Sequence, residues 1–272
     1  MLKSRLSDRG ALFDGTCNPD RPSHWLKTDI LDRAELDVKQ WHFVIDDNPF
    51  LPPEYVENLK KEYTGIFYDR YILGLWTLAE GLIYPFYQEA VAQTVPRDYT
   101  EYQISIDYGT QNPFAMGLYG LYDGTWYKVK EYHHCGRDTQ RQKTDGEYYD
   151  DLVLFAEGYP VRHIIIDPSA MSFIVLIMRN KKFIVRAANN AVLDGLRHVA
   201  SAIKQGLFRV NDCCVETIKE FQIYSWDDRG NDTPVKESDH HMDADRYFIH
   251  TNGIALPKRE LGENKRREGR RK

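Results

Sequence analysis

The sequence predicts an α/β fold in which helices flank one mixed β-sheet. The first observation is a close succession of three apolar or alternating segments separated by turn residues, which predicts an antiparallel three-strand meander. These segments are Tyr102–Asp107, Phe114–Leu121 and Trp126–Tyr132. The second observation is a helical pattern from Thr144 to Gly158, followed by the apolar run Val161–Asp167. Because a strand reached through a helical crossover tends to lie parallel to its neighbour, this fourth strand is predicted to run parallel to the first.

The residues before the meander predict a less regular region. The segment Gly15–Trp25 is rich in turn residues, and Trp41–Pro53 is extended up to a proline break. From Glu54 to Trp76, apolar residues recur at helical spacing around Gly65. This pattern predicts a pair of short helices. A connector then leads to the main domain, which is predicted to begin near Tyr99.

Beyond the fourth strand, helices alternate with short strands up to a final helix. The predicted elements are a helix Ser172–Asn180, a strand Phe183–Ala187, a helix Val192–Gln205, a strand Phe208–Val210, a helix Val215–Tyr224, a loop Asp227–Pro234 and a helix Asp239–Thr251. We therefore divide the chain into residues 1–40, a linker with short helices at 41–98, a domain at 99–256 and a tail at 257–272.

Composition and charge limit the class of protein. With 272 residues and 42% hydrophobic content, the chain is long enough to bury a substantial core. Its N-terminus lacks the apolar stretch of a secretory signal, and no apolar run is long enough for a membrane span, so a soluble cytosolic protein is expected. The four cysteines include no C-x-x-C motif and are expected to be reduced thiols.

The net charge of −5 is unevenly distributed. The tail 257–272 carries eight basic and three acidic residues, which leaves a net charge of −10 on the rest of the chain. The tail either contacts DNA phosphates or is a solvated, disordered end. The negative charge of residues 1–256 remains compatible with DNA binding, because any metal ions bound by acidic residues would neutralise part of that charge.

Three aspartates stand where predicted elements begin or end. Asp107 and Asp167 close the first and fourth strands, so parallel pairing would bring both carboxylates to one sheet end. His240 and Asp243 lie three residues apart on one face of the final helix. Carboxylates suit a hard cation such as Mg²⁺, and a two-metal site can hydrolyse a phosphodiester. This order of elements is that of the ribonuclease H-like fold, and it predicts nucleic-acid cleavage.

Motifs along nearly the whole chain resemble the large terminase subunit of tailed bacteriophages, the motor and nuclease that packages viral DNA. Arg5–Ser7, Thr16–Asp20 and His24–Leu26 resemble the end of its packaging ATPase domain. Tyr71–Trp76 and Gly81–Tyr84 resemble its interdomain linker. The resemblance implies that residues 1–40 are a terminal part of the ATPase domain and that 41–98 are the linker.

The remaining motifs resemble the nuclease domain of the same family. They are Asp107–Pro113, Ile165–Ala170 and Asp239–Tyr247. The resemblance implies an endonuclease whose acidic residues bind Mg²⁺ or Mn²⁺ and which cuts double-stranded concatemeric DNA. It further implies the portal protein, the small terminase subunit and, for a split protein, a separate ATPase segment as partners. The expected location is the cytoplasm of the bacterial host, transiently at the procapsid portal, and no membrane.

One departure from the family concerns nucleotide hydrolysis. The sequence contains no G-x-x-x-x-G-K-[ST] phosphate loop, nor an apolar strand ending in Asp-Glu upstream of Asn18. We therefore expect no ATPase activity and no DNA translocation from this chain alone. Two explanations remain open: the chain is truncated, or the ATPase half is a separate polypeptide that Met1–Trp25 would complete.

The candidate catalytic residues have distinct predicted roles. Asp107 is expected to bridge two metals because the first strand is central, while Asp167 and Asp243 each complete one metal. His240 either contacts water or the scissile phosphate, or is bonded to a neighbour on the helix face. Asp245 lies about 200° around the helix from Asp243 and is expected to be solvated and away from the metals.

Several other residues are expected to have structural or DNA-binding roles and not catalytic ones. Asp239 is expected to cap the final helix, and Arg246 and Tyr247 to pack or pair within the domain. His133–Cys135 has no partner ligands at zinc spacing and is expected to be an exposed strand end. Four basic residues could grip phosphates beside the site: Lys128, Lys130, Arg137 and Arg141.

Two alternative functions stay open. Another ribonuclease H-like enzyme, such as a transposase or junction resolvase, would have the same order of acidic residues. It would not bring the Asn-Pro turn or the linker motif of the first hundred residues. The other alternative is a catalytically inert prophage remnant, or a fragment that binds the portal or assembly partners.

Overall fold

A computed structural model describes residues 12–109, 112–229 and 232–255. Its strands are β1 (Val91–Ala92), β2 (Glu101–Asp107), β3 (Phe114–Tyr122), β4 (Thr125–His134), β5 (His163–Ile166), β6 (Ile184–Ala187) and β7 (Phe208–Asn211). Its α-helices are α1 (Pro53–Glu62), α2 (Ile66–Tyr71), α3 (Asp145–Phe155), α4 (Met171–Asn180), α5 (Val192–Lys204), α6 (Val215–Ile223) and α7 (His240–Asn252). Shorter helical turns are Lys27–Leu31, Ile45–Asp47 and Tyr87–Glu89.

The predicted meander is confirmed. β2 pairs antiparallel with β3, and β3 pairs antiparallel with β4. The β3–β4 turn contains Asp123 and Gly124, whose φ angles are 48° and 74°. An Asp-Gly pair adopts such positive φ angles readily, and a turn of this kind matches the twist of the strands that it joins.

The sheet continues on both sides of the meander, in the order β1-β7-β4-β3-β2-β5-β6. As predicted, β5 runs parallel to β2, and Ile106 stands opposite Ile166 in the register. The crossover between these strands contains α3, which begins at a capping box formed by Thr144 and Glu147. The resulting mixed sheet with flanking helices is the fold class predicted from the sequence.

Each face of the sheet has its own hydrophobic core. On β5, Ile164 and Ile166 pack into one core together with Phe173 of α4. Ile165 packs into the other core, which contains Phe248 of α7. This alternation follows from the two-residue period of a strand. A strand segment buried on both faces is therefore apolar at every position, as Ile164–Ile166 of β5 are.

Helix α7 is surrounded by the rest of the domain. It contacts α5 and α6 and also lies against β2, β3 and β5. Every residue from His241 to Ile249 is buried. Its polar side chains must therefore find partners inside the protein, because a buried unpaired charge is costly. Among residues 12–109, 112–229 and 232–255, no helix combines the length and apolarity that crossing a membrane requires.

The region 41–98 contains the two predicted short helices, separated at Gly65. It also contributes β1, which pairs parallel with β7. The sequence pattern did not predict this strand, because two residues are too few to show a periodic signal. Phe67 of α2 and Tyr84 enter the core that faces α7. The division of the chain at residue 99 stays a prediction, but the residues just before it share a core with the domain.

A buried ion pair also connects this region to the domain. The guanidinium of Arg70 in α2 donates two hydrogen bonds to the carboxylate of Asp232, at 3.0 and 2.9 Å. Both side chains are almost inaccessible to solvent. The Arg70 side chain also donates to the carbonyl oxygen of Thr77, so its position is fixed from two directions.

A histidine pair between α5 and α7 predicts a loss of stability in acid. His198 and His250 face each other, with their Nδ1 atoms 2.6 Å apart. Burial, the neighbouring His250 and Arg197 lower the pKa of His198 to about 4. The unfolded chain takes up this proton near pH 6.5, so stability conferred by the neutral ring is lost as pH falls from about 6.5 to about 4.

We expect His198→Gln to lose less stability over this interval than the wild-type chain. The difference should be on the order of 1–3 kcal/mol, since one pKa unit corresponds to about 1.4 kcal/mol. Urea unfolding at pH 7, 5.5 and 4.5 measures it. His163→Gln, in β5, is the control. Equal acid sensitivity of wild type and His198→Gln would contradict the prediction.

Candidate active site

The sheet brings two of the predicted ligands together. Asp107 is the last residue of β2, and Asp167 directly follows β5. Because Ile106 and Ile166 are partners in the parallel register, the two aspartates leave the sheet side by side. This is the arrangement that the sequence predicted for the carboxyl ends of the two strands.

Helix α7 brings His240 to the same end of the sheet, beside the carboxyl ends of β2 and β5. The Nδ1 atom of His240 lies 2.8 Å from Oδ2 of Asp107, and each side chain is 17% exposed. Burial raises the pKa of Asp107, the hydrogen bond from His240 opposes this effect, and the carboxylate of Asp243 adds to it. For His240, burial lowers the pKa, but the hydrogen bond to Asp107 and the charges of the surrounding aspartates together outweigh burial and raise it overall. The hydrogen bond between Asp107 and His240 therefore favours the pairing of a carboxylate with a protonated imidazole.

Asp167 is held in its ionised form by hydrogen bonds. Its Oδ1 accepts from the backbone N–H of Ser169 at 2.7 Å, and its Oδ2 accepts from the Asn190 amide at 3.1 Å. Tyr247 of α7 also makes a side-chain hydrogen bond to it. Burial alone would raise the pKa of Asp167, but these bonds outweigh burial and lower it.

Asp243 lies between two basic side chains. Its Oδ1 accepts from Nε and Nη2 of Arg246 at 3.1 and 2.8 Å. Its Oδ2 lies 3.1 Å from Nζ of Lys236, which also pairs with Asp239 at 3.0 Å. Arg246 is buried, whereas the Lys236 side chain is 59% exposed. The guanidinium of Arg246 is therefore held in place by the protein, whereas the ammonium of Lys236 can move into solvent.

Tyr247 connects the three carboxylates. Burial raises its pKa, and the charges of Asp243, Asp107 and Asp167 raise it further. Three carboxylates around one side chain are an all-oxygen set of the kind that Mg²⁺ or Mn²⁺ binds. Burial raises the pKa of Asp107 and the charge of Asp243 raises it further, and a divalent cation would offset both effects. The residues present thus fit a hard metal ion.

The three aspartates are nevertheless less tightly grouped than a complete ligand set. Within the described ranges, one set of three potential ligand atoms lies within 4.8 Å of one another, and it does not contain Asp107, Asp167 or Asp243. Each of the three is instead satisfied by neighbouring hydrogen-bond donors. Metal binding at the aspartates therefore requires the carboxylates to exchange some of these donors for the ion.

Two of the residues around the aspartates were not found by sequence reasoning. Asn190 lies in the loop before α5 and Lys236 precedes α7, and neither position carries a periodic or motif signal. Arg246 and Tyr247 do pair within the domain, as expected. Asp239 is the residue before α7, but its side chain makes no capping bond and binds Lys236 instead.

The expectation that Asp245 is solvated is wrong. Asp245 does lie away from Asp243, but its side chain is 1% exposed. Its Oδ1 accepts a hydrogen bond from the Tyr119 hydroxyl at 2.6 Å and lies 2.8 Å from Nζ of Lys128. The opposite face of α7 is packed against the sheet, so the carboxylate enters a core instead of water.

The proposed role of Lys128 as a phosphate ligand is wrong for the same reason, since its side chain is fully buried. Lys130 is partly buried and donates to the carbonyl oxygen of Phe155. Arg141 is exposed and pairs with Glu147. Arg137 is also exposed, so Arg137 and Arg141 are the two of the four basic residues that lie at the surface. The predicted disorder of the basic tail 257–272 concerns residues outside the described ranges.

Comparison with solved structures confirms the predicted resemblance. The chain is similar to the large terminase of a thermophilic bacteriophage in complex with ADP, with 49% sequence identity and a TM-score of 0.86. The match covers 92% of this chain and 64% of the phage chain. The same terminase in complex with ATP-γ-S gives 49% identity and covers 92% of this chain and 65% of that chain, with a TM-score of 0.86. This chain thus spans slightly less than two thirds of those relatives.

A more distant likeness supports the fold. The nuclease domain of the P22 large terminase has 17% sequence identity and a TM-score of 0.52, and the match covers 65% of this chain and 95% of that domain. The ribonuclease H-like fold is thereby confirmed. No family model matches the chain, and no curated protein matches it.

Proposed function

From its likeness to phage large terminases over nearly its whole length, we propose that this chain is the metal-dependent endonuclease part of such a protein, cutting double-stranded viral DNA. The observation that carries the proposal is the placement of Asp107 and Asp167 at neighbouring strand ends, with Asp243 facing them from α7. Hydrolysis of a phosphodiester needs an anionic pocket for divalent cations, and these carboxylates supply one.

The carboxylates of Asp107, Asp167 and Asp243 would hold Mg²⁺ or Mn²⁺, with Asp107 central. When bound, such ions supply a water of lowered pKa and stabilise the charge of the departing 3′ oxygen. The remaining chemistry belongs to the chain. Asn190, Ser169 and Tyr247 keep Asp167 ionised at neutral pH. Arg246 fixes the orientation of Asp243 by two hydrogen bonds.

His240 and Lys236 are the two mobile charges of the proposed site. His240 is hydrogen-bonded to Asp107, and a protonated imidazole there would place a positive charge beside the proposed metal pocket. Lys236 borders a cleft of about 390 Å³ that is also lined by Arg229. Released from Asp243, the ammonium of Lys236 would neutralise a DNA phosphate at the mouth of the site.

The wider role follows from the relatives and is likewise proposed. Cleavage would serve the packaging of concatemeric DNA in the host cytoplasm, with the portal protein and the small terminase subunit as partners. Translocation would need an ATPase supplied by a further segment, because this sequence has no phosphate loop. A catalytically inert remnant is the alternative that plasmid cleavage tests, whereas the likeness to large terminases argues against another ribonuclease H-like nuclease.

The test is cleavage of supercoiled plasmid by the purified chain with Mn²⁺, Mg²⁺ or EDTA. We expect nicked and linear DNA with either metal, none with EDTA, and none from Asp107→Ala prepared in the same way. Asp150→Ala, which changes an exposed aspartate of α3, should cut like wild type. Circular dichroism confirms that each protein is folded. A folded wild-type chain that cuts no DNA would overturn the proposal in favour of an inert remnant.

A further inference from the structure

A second cluster of potential metal ligands lies outside the aspartate site. It consists of His133 at the end of β4, Glu220 in α6 and His241 in α7. Their ligand atoms all lie within 4.8 Å of one another. His133 is exposed, whereas the other two are buried, so the cluster is open to solvent on one side. Two imidazoles and a carboxylate are a donor set for a borderline transition metal, in contrast to the all-oxygen set of the aspartates.

The spacing of the two imidazoles matches a metal site. Nδ1 of His133 lies 3.3 Å from Nε2 of His241. Two nitrogen ligands at ~2.0–2.1 Å from a tetrahedral zinc ion lie about 3.3–3.4 Å apart.

Glu220 supplies a third donor that is already fixed in place. Its Oε2 accepts from the backbone N–H groups of His241 and Met242 at 2.7 and 3.0 Å. Within the described part of the chain it forms no ion pair, although its side chain is 5% exposed. Burial raises the pKa of Glu220 to about 9, so a bound Zn²⁺ would have to displace a proton from this carboxyl group, and the ion would then offset the cost of burying its charge.

From this geometry we propose that His133, Glu220 and His241 form a Zn²⁺ site with three protein ligands, separate from the aspartate centre and additional to the proposed nuclease function. The ion would join β4, α6 and the first turn of α7. Because that turn carries His240 and Asp243, the site would hold the helix that completes the proposed active site. Its fourth ligand position faces solvent and takes a water molecule.

A proton competes for the same space. Nζ of Lys128 lies 3.4 Å from Nδ1 of His241, which favours a tautomer with its proton on Nε2, donated to His133. Zinc binding must move that proton to the other ring nitrogen or to water. If Zn²⁺ displaces this proton, the full chain binds the metal tightly. If the hydrogen bond between the two histidines persists, binding is weak, and a titration distinguishes the two cases.

The experiment uses the full chain, stripped of metal with a chelator and dialysed. Zn²⁺ is titrated against a chromophoric chelator with Mg²⁺ in large excess, in wild type and in Asp107→Ala. We expect one Zn²⁺ per chain in both proteins. Cobalt(II) in place of Zn²⁺ should give the strong visible absorption of a tetrahedral site.

His133→Ala is the decisive variant, because His133 is exposed and its truncation leaves the core intact. We expect its Zn²⁺ affinity to fall at least ~100-fold, since even outer-shell partners contribute 10–100-fold. Zn²⁺ should also raise the melting temperature of wild type but not of His133→Ala. His134→Ala is the matched control and should bind like wild type, because His134 hydrogen-bonds with Tyr148 instead.

Two outcomes would overturn the proposal. One is the absence of stoichiometric Zn²⁺ binding by wild type in excess Mg²⁺, which would leave the histidine pair as a hydrogen bond. The other is equal affinity of wild type and His133→Ala. Neither readout uses DNA cleavage, so this proposal and that of the nuclease succeed or fail independently.

Discussion

Replacement of Asp243 by Asn is expected to reduce metal-dependent plasmid cleavage on the order of 10³-fold. The change removes a negative charge from the proposed metal pocket while keeping the shape of the side chain. A bound metal stabilises the transition state by several kcal/mol, and ~4 kcal/mol corresponds to about 10³-fold in rate. Initial rates at saturating Mn²⁺ measure the effect.

Asp239→Asn is the matched control for this experiment. Asp239 lies four residues earlier and shares the same partner, Lys236, but it does not contact Arg246 in the way that Asp243 does. We expect its cleavage rate to stay within about tenfold of wild type, because the change affects only the ion pair with Lys236, whose own side chain is 59% exposed. Comparable losses in the two variants would show that the Lys236 pairing, and not metal ligation, is what Asp243 contributes.

Truncation of Lys128 to Met is expected to destabilise the fold by about 3–5 kcal/mol. Removing one partner of a buried ion pair leaves the other as an uncompensated charge. Here Asp245 would remain, with the Tyr119 hydroxyl as its hydrogen-bond donor. For a domain of this size, each kcal/mol shifts the melting temperature by roughly 2–4 °C. Thermal unfolding in EDTA should therefore show a fall of about 10 °C.

The double variant Lys128→Met/Asp245→Leu provides the control. Replacing both members of a buried pair by apolar residues is often neutral, so the double variant should recover most of the stability lost in Lys128→Met. A double variant less stable than the single one would argue against the ion pair as the cause. Full stability of Lys128→Met alone would contradict the prediction directly.

The strands and helices that the sequence predicted have strong local signals. The Asp-Gly turn after β3 fixes a hairpin by backbone conformation alone, and the run at β5 is apolar because both of its faces are covered. β1 lacks any such signal. Its two residues, Val91 and Ala92, form a strand only because β7 offers an unpaired edge beside them. Tertiary context, not local sequence, creates this element.

The candidate site likewise contains residues that could be predicted from the sequence and residues that could not. Asp107, Asp167 and Asp243 could be predicted because each lies at the boundary of an element, where the topology determines its neighbours. Their placement follows the prediction, while their roles as metal ligands remain proposals. Asn190 and Lys236 could not be predicted, because loops bring them to the aspartates without any periodic pattern.

The buried face of α7 shows why helix geometry alone was insufficient. The helical rotation placed Asp245 away from Asp243 correctly, but rotation says nothing about what lies on that other side. His133 and His241 are 108 positions apart in the chain, so their proximity also left no trace in local spacing. Sequence reasoning finds side chains at the ends of elements whose pairing can be predicted, and it misses side chains such as these that only tertiary packing brings together.

The attachment of the region before residue 99 to the sheet has a mechanical consequence. A flexible tether stretches under tension and passes on little motion. Here α2 is clamped through Arg70 to Asp232, and β1 is bonded to the edge of the sheet at β7. A push or twist applied upstream of α2 therefore reaches the loop containing Asp232, four residues before Lys236. A displacement of the N-terminal region would therefore be coupled to the position of Lys236, which pairs with Asp243.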